Sequence, residues 1–448
     1  MSVIKHLEST KSEYIESFRK FLRQPSISAK GVGIEECARL LKDIMDEWGI
    51  DAEVLPTDGN PVVYATVESK KSEKTLLVYS HYDVQPPEPL EEWISQPFEA
   101  KTVEGRIIAR GAADAKGNII AFLKAVESYL KTEGEPPVNV KFLFEGEEEI
   151  GSPHLPSFVE SHRDMLSADG VVCWDGGLHP SGRPSISLGV KGMLYVELRC
   201  RGARTDLHSS QAPIIVNPAW RIVWALNTIK PPGGRIAVRG WYDDVRPPTE
   251  EELKLLSEIP FEEEILKKEL GVKEFLDGVK GLEALKRLVY EPTANIAGMS
   301  SGYTGVGSKT VLPCEAMAKI DFRLVVDQDP YRLLKLLRKH LDEGGFRDVE
   351  IVELGTLLPS RTPPSAPIAQ ASMKASEKVY GMKPVVYPNS AGSGPDFVFT
   401  KILGLHSVWT GCSPPLAKAH APNEFNTVEH MVKGVLYAAE IMENFRYL

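Results

Sequence analysis

Two stretches of this chain end apolar runs in metal-ligand chemistry. Leu76-Leu77-Val78-Tyr79 runs into Ser80-His81-Tyr82-Asp83-Val84. Val138-Asn139-Val140-Lys141-Phe142-Leu143 runs into Phe144-Glu145-Gly146-Glu147-Glu148-Glu149-Ile150-Gly151-Ser152. In open α/β sheets, ligands bind in the crevice beyond the carboxyl ends of the strands. Imidazole and carboxylates gathered there suit zinc or a similar divalent ion. A third apolar run, Val171-Val172-Cys173-Trp174, ends in Asp175-Gly176-Gly177. Arg110-Gly111-Ala112-Ala113-Asp114-Ala115-Lys116-Gly117 leads into a helical run from Asn118 to Leu130, and Ala419-His420-Ala421-Pro422-Asn423-Glu424 precedes the last helix. His81, Asp114, Glu149, Asp175 and His420 are too many ligands for one tetrahedral zinc and suit two ions sharing a carboxylate. Taken singly, His81 reads as a buried, hydrogen-bonded histidine, and Asp114 or Asp175 as a turn or cap residue. Their coincidence points to a metal centre. Asp83 lies two residues past His81 on an extended chain, so it shares the His81 face and can accept the ring N–H.

The elements that must position these groups follow from periodicity. Tyr14 to Leu22 and Glu35 to Trp48 predict amphipathic helices. Pro61 to Val67, Thr75 to Ser80, Val138 to Phe144 and Gly170 to Trp174 predict strands. This is α/β with a mixed, mostly parallel sheet flanked by helices. After Gly189 the pattern changes. Met193 to Cys200 and Ala316 to Val325 alternate as strands, Val349 to Glu353 is a short strand, and Asn217 to Ile229 and Tyr331 to Leu341 read as helices. That is a small α+β unit of ferredoxin-like type. Between its halves lies a charged helical insert, Thr249 to Leu288, expected to be a solvated face. From about Ser360 the first pattern resumes, with a helix over Ala366 to Val379, a strand over Leu403 to Trp409 and a closing helix over Thr427 to Phe445. His420 must join ligands from the first half of the chain. The expected division is therefore a catalytic domain of residues 1–190 and 360–448, interrupted by an inserted domain of residues 191–359.

Bulk properties narrow the function classes. With 448 residues, 42% apolar and 25% charged, the chain exceeds one ordinary core. No apolar run approaches the roughly 20 residues needed to span a bilayer, and Met1 to Lys20 lacks a signal-peptide core, so no membrane association is expected. A net charge of −10 argues against nucleic acid as a partner. The five cysteines, Cys37, Cys173, Cys200, Cys314 and Cys412, are scattered and odd in number, which predicts a reducing cytoplasm rather than a disulfide framework.

In this order, the ligand segments resemble the di-zinc metallopeptidase family of carnosinase, glutamate carboxypeptidase, aminoacylase and succinyl-diaminopimelate desuccinylase. The resemblance covers nearly the whole chain and is nearest to cytosolic nonspecific dipeptidase and carnosinase. It rests also on Asp206-Leu207-His208-Ser209, Gly307-Ser308-Lys309-Thr310-Val311-Leu312-Pro313 and Phe322-Arg323-Leu324-Val325. It implies a zinc-exopeptidase fold with an inserted lid and dimerisation domain. It implies two divalent ions per chain, zinc with manganese or cobalt as alternatives. His81 and Asp175 would ligate one ion, Glu149 and His420 the other, and Asp114 would bridge them. The implied reaction is hydrolysis of dipeptides, at the peptide bond next to a free C-terminal carboxylate, by a metal-bridged water. The alternative is an aminoacylase or carboxypeptidase acting on N-acyl amino acids or longer peptides.

Three successive acids at 147 to 149 leave the general base ambiguous by charge alone. Alignment of the family motif on Gly151-Ser152 selects Glu148 as the base and leaves Glu147 as a solvated surface acid. The resemblance further implies that His208 polarises the scissile carbonyl from the partner subunit of a homodimer, with Thr310 beside it. Arg323 would hold the substrate carboxylate, bidentate pairing being the physical reason, and Ser393 would belong to a carboxylate-binding loop. Two departures stand out. Ala115 replaces a second Asp or Asn after the bridging Asp114, at a peptide bond that is often cis in the family. Gly394 replaces a more usual apolar residue, which would loosen the Ser393 loop. The remaining histidines have no companion ligands and read as structural or surface groups.

Overall fold

The computed structural model describes residues 3–448, so Met1 and Ser2 of the charged N-terminal stretch lie outside the described residues. Eight strands form one mixed sheet in the order Ala52–Leu55, Val62–Val67, Asn139–Glu145, Thr75–His81, Gly170–Trp174, Ser407–Thr410, Ser185–Ser187 and Val385–Tyr387. Thr75–His81 is parallel to both its neighbours, and Gly170–Trp174 is parallel to Ser407–Thr410. Antiparallel pairing joins the first three strands of that order and the bridge Trp409–Ser187. The central strands read as continuous apolar runs because both of their faces are covered. Leu76 and Val78 pack on one side with the helices Lys11–Arg23, Ile34–Glu47, Lys116–Glu133, Pro367–Tyr380 and Val428–Arg446. Leu77 and Tyr79 pack on the other with Phe158, Val398 and Phe399. Parallel register brings the ends of Thr75–His81 and Asn139–Glu145 level, His81 opposite Glu145. The loops that carry the candidate ligands therefore leave the sheet at the same end.

A second, antiparallel sheet has the order Thr293–Ser301, Glu315–Leu324, Gly192–Arg201, Val349–Leu357. With helices Pro218–Ile229 and Pro330–Glu343 it makes a β-α-β-β-α-β sandwich of ferredoxin-like topology. Its core is its own, built around Leu194, Val196, Ile222, Ile320, Phe322 and Leu337. The periodicity of Glu315–Leu324 is strict, with alternate residues buried. The edge strand Thr293–Ser301 escapes a reading by pattern because most of its residues are exposed.

Two expectations about elements need correction. The strand predicted from Leu403 is confined to Ser407–Thr410. A π-helical turn over Val398–Ile402 and the positive φ of Gly404 delay the extended segment. The insert is more than a solvated face, because one side of it is buried. Helices Glu250–Ser257 and Gly281–Tyr290, with Ile259 of the connecting segment, bury Leu256, Ile259, Leu285 and Val289 together against Val385 of the main sheet, while helix Glu263–Leu270 stays on the outside. Among the described residues no helix is long and apolar enough to cross a membrane.

Candidate metal centre

His81 ends its strand fully buried, with Nε2 3.0 Å from Asp114 Oδ1 and 3.5 Å from Asp175 Oδ2. His420 arrives from the far end of the chain, its Nε2 2.9 Å from Asp114 Oδ2 and 3.1 Å from Glu149 Oε2. Asp114 thus presents one carboxylate oxygen to each imidazole, with Asp175 on one flank and Glu149 on the other. All five ligand candidates converge. His81, Asp114 and Glu149 alone bring one donor atom each within 4.8 Å of one another.

The loops are fixed by neighbours. His81 Nδ1 lies 3.1 Å from the Asp83 carbonyl and 3.4 Å from Asp83 Oδ1, so the backbone oxygen is the nearer acceptor. The Asp83 carboxylate mainly orients the acidic loop, accepting the N–H of Glu148 at 3.2 Å and of Glu149 at 3.1 Å. Gln85 Nε2 donates to Glu149 Oε2 at 2.7 Å. The Asp114–Ala115 peptide bond is cis, and the helix Lys116–Glu133 starts immediately after it. Its N-terminal N–H groups favour the adjacent anionic cluster. The loop after Asp175 is clamped by the loop after Thr410. A Cβ on Gly411 would meet Gly176 O at 2.2 Å.

Asp83, Asp114, Glu148, Glu149 and Asp175 surround two imidazoles, and among the described residues no Lys or Arg pairs with any of them. Burial lowers the basicity of His81, yet Asp175, Asp114 and Asp83 hold its pKa well above the ordinary value. Hydrogen bonds to Asp114 and Glu149 push His420 up to about 10. Burial pushes the Glu148 carboxyl well above the usual range; His81 opposes this, and Asp175, Asp114 and Glu149 add to it. So much buried negative charge with so little positive charge is the signature of a cation site. The donors, two imidazoles and several carboxylates with one shared oxygen pair, fit two divalent ions of the zinc type.

The remaining predicted residues fall into three places. Ser393 lines a cavity of about 240 Å³ beside Glu148 and Asp175, together with Val190, Gly392 and Trp409, and its Oγ donates to Gly192 O at 3.1 Å. The space left by Gly394 is filled rather than loose, because a Cβ there would lie 3.1 Å from Trp409 Cη2. Arg323 stands on the sandwich strand opposite Met193, pairs with Asp321 at 3.2 Å and does not line that cavity. His208 and Thr310 come together on the short paired strands Leu207–His208 and Val311–Leu312, with His208 Nε2 3.4 Å from Thr310 Oγ1. Both are exposed, and their side-chain hydrogen bonds are to each other and to Ser210, not to the candidate metal ligands of their own chain.

Glu147 is a correction. It is 5% exposed, accepts the N–H of Asn60 at 3.0 Å and pairs with His154 at 2.9 Å, so it braces the loop from beneath. Glu424 is the residue that sequence reading missed. Its buried carboxylate accepts from Arg110 Nη1 at 2.7 Å and from the backbone N–H of Gly111, Ala113 and Asp114 at 3.0, 2.8 and 3.0 Å. Its position four residues after His420 was the available signal.

Comparison with known proteins agrees with this geometry. The model of peptidase family M20/M25/M40 matches residues 77–444. A Beta-Ala-His dipeptidase of Homo sapiens is 33% identical over 65% of this chain, a match spanning 58% of that protein's length. A Cys-Gly metallodipeptidase of Candida albicans is 29% identical over 96% of this chain and 93% of its own. The crystal structure of an M20 family metallo-carboxypeptidase from Sulfolobus solfataricus superposes with a TM-score of 0.93 and 43% identity, over 97% of this chain and 100% of that one. With its ligand loops inside the matched region, the chain belongs to peptidase family M20/M25/M40 and is a metal-dependent hydrolase of that family.

Proposed function

We propose that the chain is a two-metal dipeptidase that cleaves the peptide bond next to a free C-terminal carboxylate. The observation that carries this is Asp114, one oxygen 3.0 Å from His81 and the other 2.9 Å from His420. His81 and Asp175 would hold one ion and Glu149 and His420 the other, with Asp114 between them. Two divalent ions so held, zinc by donor chemistry with manganese or cobalt as alternatives, would polarise the scissile carbonyl and acidify water. Glu148 is the general base. It has no side-chain partner of its own among the described residues, and its raised pKa suits a group that takes a proton from water and returns it to the leaving amine. Ser393, and Arg323 from the sandwich, are assigned to the substrate carboxylate.

The segment 191–359 is proposed to act as a lid and dimerisation domain. The stacked Trp220 and Trp224 are exposed on helix Pro218–Ile229, and Val223 of the same helix and Ile296 and Met299 on the edge strand are exposed apolar groups lining one groove. A second copy of the chain is the occupant proposed for it. A dimer would let His208, with Thr310, serve the partner's site and donate to the developing oxyanion. The absence of disulfides among the described cysteines supports a reducing, cytoplasmic setting.

The relatives named for Beta-Ala-His and Cys-Gly dipeptides favour short substrates, and a cavity below the roughly 300–1,000 Å³ of common small-molecule sites agrees. The second reading, a carboxypeptidase or aminoacylase, is favoured by the resemblance to the Sulfolobus metallo-carboxypeptidase. A panel of dipeptides, dipeptide amides, tripeptides and N-acetyl amino acids, each with zinc, manganese or cobalt, decides between them. The dipeptidase reading expects free dipeptides to be turned over faster than tripeptides, and at least about tenfold faster than dipeptide amides and N-acetyl amino acids, each of which has lost one terminal charge. Faster turnover of longer peptides or N-acetyl amino acids contradicts it.

A further inference from the structure

The insert Thr249–Tyr290 belongs by sequence to the sandwich and by packing to the main sheet. Its apolar cluster of Leu256, Ile259, Leu285, Val289 and Tyr290 closes on Val385 and Tyr387 of the main sheet's edge strand. Leu255 packs on the main core. No described residue of the insert enters the core of the sandwich. A strand that buries its outer face against another element is no longer a free edge. The edge strand Val385–Tyr387 leads directly to Ser390, Gly392 and Ser393, which line the cavity beside Glu148.

A line of charges runs through the same contact. Arg246 Nε lies 3.4 Å from Asp327 at the end of a sandwich strand, and its Nη2 donates to Glu252 at 3.0 Å. Glu252, in the insert, is 5% exposed and also receives the guanidinium of Arg361, which is itself nearly buried. Glu252 closes a capping box with Thr249, accepting its N–H at 2.8 Å, so its carboxylate is fixed from the helix side as well. Arg361 follows Ser360, and Ser360 is bonded to Val190 where the two chain crossovers between the sheets run side by side, Ser360 N to Val190 O at 3.1 Å. Val190 lines the same cavity. At the far end of the insert, Lys191 Nζ donates to Glu291 O at 2.7 Å.

We propose that Thr249–Tyr290 is a strut that sets the resting angle between the sandwich and the main sheet, pinned by Glu252 between Arg246 and Arg361, and that Glu252 is thereby a positioning residue for the substrate cavity. The covalent crossovers alone are two short segments, and a hinge of that kind pivots unless something spans it. The strut spans it with an apolar contact and a buried, multiply bonded carboxylate. Loss of the pin lowers the fraction of molecules with the cavity correctly framed, and apparent affinity falls in proportion to that fraction. KM therefore rises while the rate at saturation holds. The kinetic part of this claim rests on the dipeptidase reading; the geometric part does not.

The test uses the full chain in a Cys314→Ser background, with spin labels on Lys339→Cys in the sandwich and Lys374→Cys in the main unit, both exposed positions. In dimers co-expressed with excess unlabelled chain, so that the intra-chain pair dominates, pulsed electron–electron resonance is expected to give one narrow distance distribution, and Glu252→Gln to broaden or split it. In unlabelled protein, Glu252→Gln is expected to raise KM for a dipeptide at least fivefold with kcat within twofold. Arg361→Met, which leaves the insert sequence intact, reports the same if Glu252→Gln does not fold, and Arg361→Lys restores both readouts. An unchanged distance distribution in Glu252→Gln or Arg361→Met overturns the strut, as does a fall in kcat with KM unchanged. If the parent protein turns over no dipeptide, the substrate reading fails and the distance distributions still decide the strut.

Discussion

The carboxylate of Glu424, four residues beyond His420, accepts the backbone N–H of Asp114 at 3.0 Å. The same carboxylate takes Arg110, Gly111 and Ala113, so one buried acid curls the Asp114 loop around itself and holds it to the His420 loop. Asp114 and His420, two candidate ligands some three hundred positions apart in the chain, thereby become neighbours through a residue outside the proposed ligand set.

Glu424→Gln should weaken metal retention, because its amide sets an N–H against the backbone N–H groups the carboxylate accepts. Outer-shell changes of this kind cost about 10–100-fold in metal affinity. Titration of the apo protein with zinc against a competing chelator measures it. Glu424→Ala should also lower stability by about 3–5 kcal/mol, as it leaves Arg110 buried and unpaired. Unchanged zinc affinity in a folded Glu424→Gln protein counts against the role.

Glu148→Gln should lower turnover by on the order of a hundred- to ten-thousand-fold with metal content intact, because it removes a base and no ligand. Glu147→Gln should behave differently. It loosens the pair with His154 and the bond from Asn60, so thermal stability should fall more than the chemical step. A near-native Glu148→Gln beside an inactive, stable Glu147→Gln would move the general base by one residue.

The pH dependence of stability should carry a signature of Lys191. Burial, opposed by Glu291 and aided by Arg323, lowers its pKa from 10.5 to about 8. The unfolded chain keeps the ordinary value, so between about 8 and 10.5 it binds more protons than the folded chain, and stability rises with pH across that window. The Lys191 contribution is thus unfavourable below pH 8 and relieved above it. Denaturant titrations of Lys191→Met should lack that rise relative to the parent protein. Parallel pH profiles for the two proteins contradict the assignment.

His208 acting across a dimer makes a complementation prediction. Glu148→Ala and His208→Ala chains are each expected to be inactive. Co-expressed, about half of the dimers are mixed, and each mixed dimer has one site with both groups intact. About a quarter of the parent activity should return. No return of activity, or a monomer by light scattering under assay conditions, rejects the shared site.

Much of this was legible because strands buried on both faces announce themselves. Thr75–His81 carries the apolar run Leu76 to Tyr79 and Gly170–Trp174 the run Val171 to Trp174, so the candidate ligand just beyond each, His81 or Asp175, stands out against the run before it. Asp114 and His420 lie in loops, and only the order of segments tied them to that centre. What escaped was burial of acids. Glu147, Glu252 and Glu424 are each nearly or fully buried, yet residue type alone says exposed. Their partners, His154, Arg361 and Arg110, lie at sequence separations from seven to over three hundred, and no local pattern records such pairings. The insert misled for the same reason. Its charge is conspicuous in sequence, while Leu256, Ile259, Leu285 and Val289 meet only when its helices fold back on the main sheet.

The central claim is a centre of two ions sharing Asp114. Zinc should be added stepwise to apo protein while bound metal and dipeptide turnover are recorded together. Activity that reaches its plateau only as bound zinc approaches two equivalents per chain, and that collapses in Asp114→Asn, is the predicted result. Full activity at one equivalent, with no further gain at the second, would contradict it.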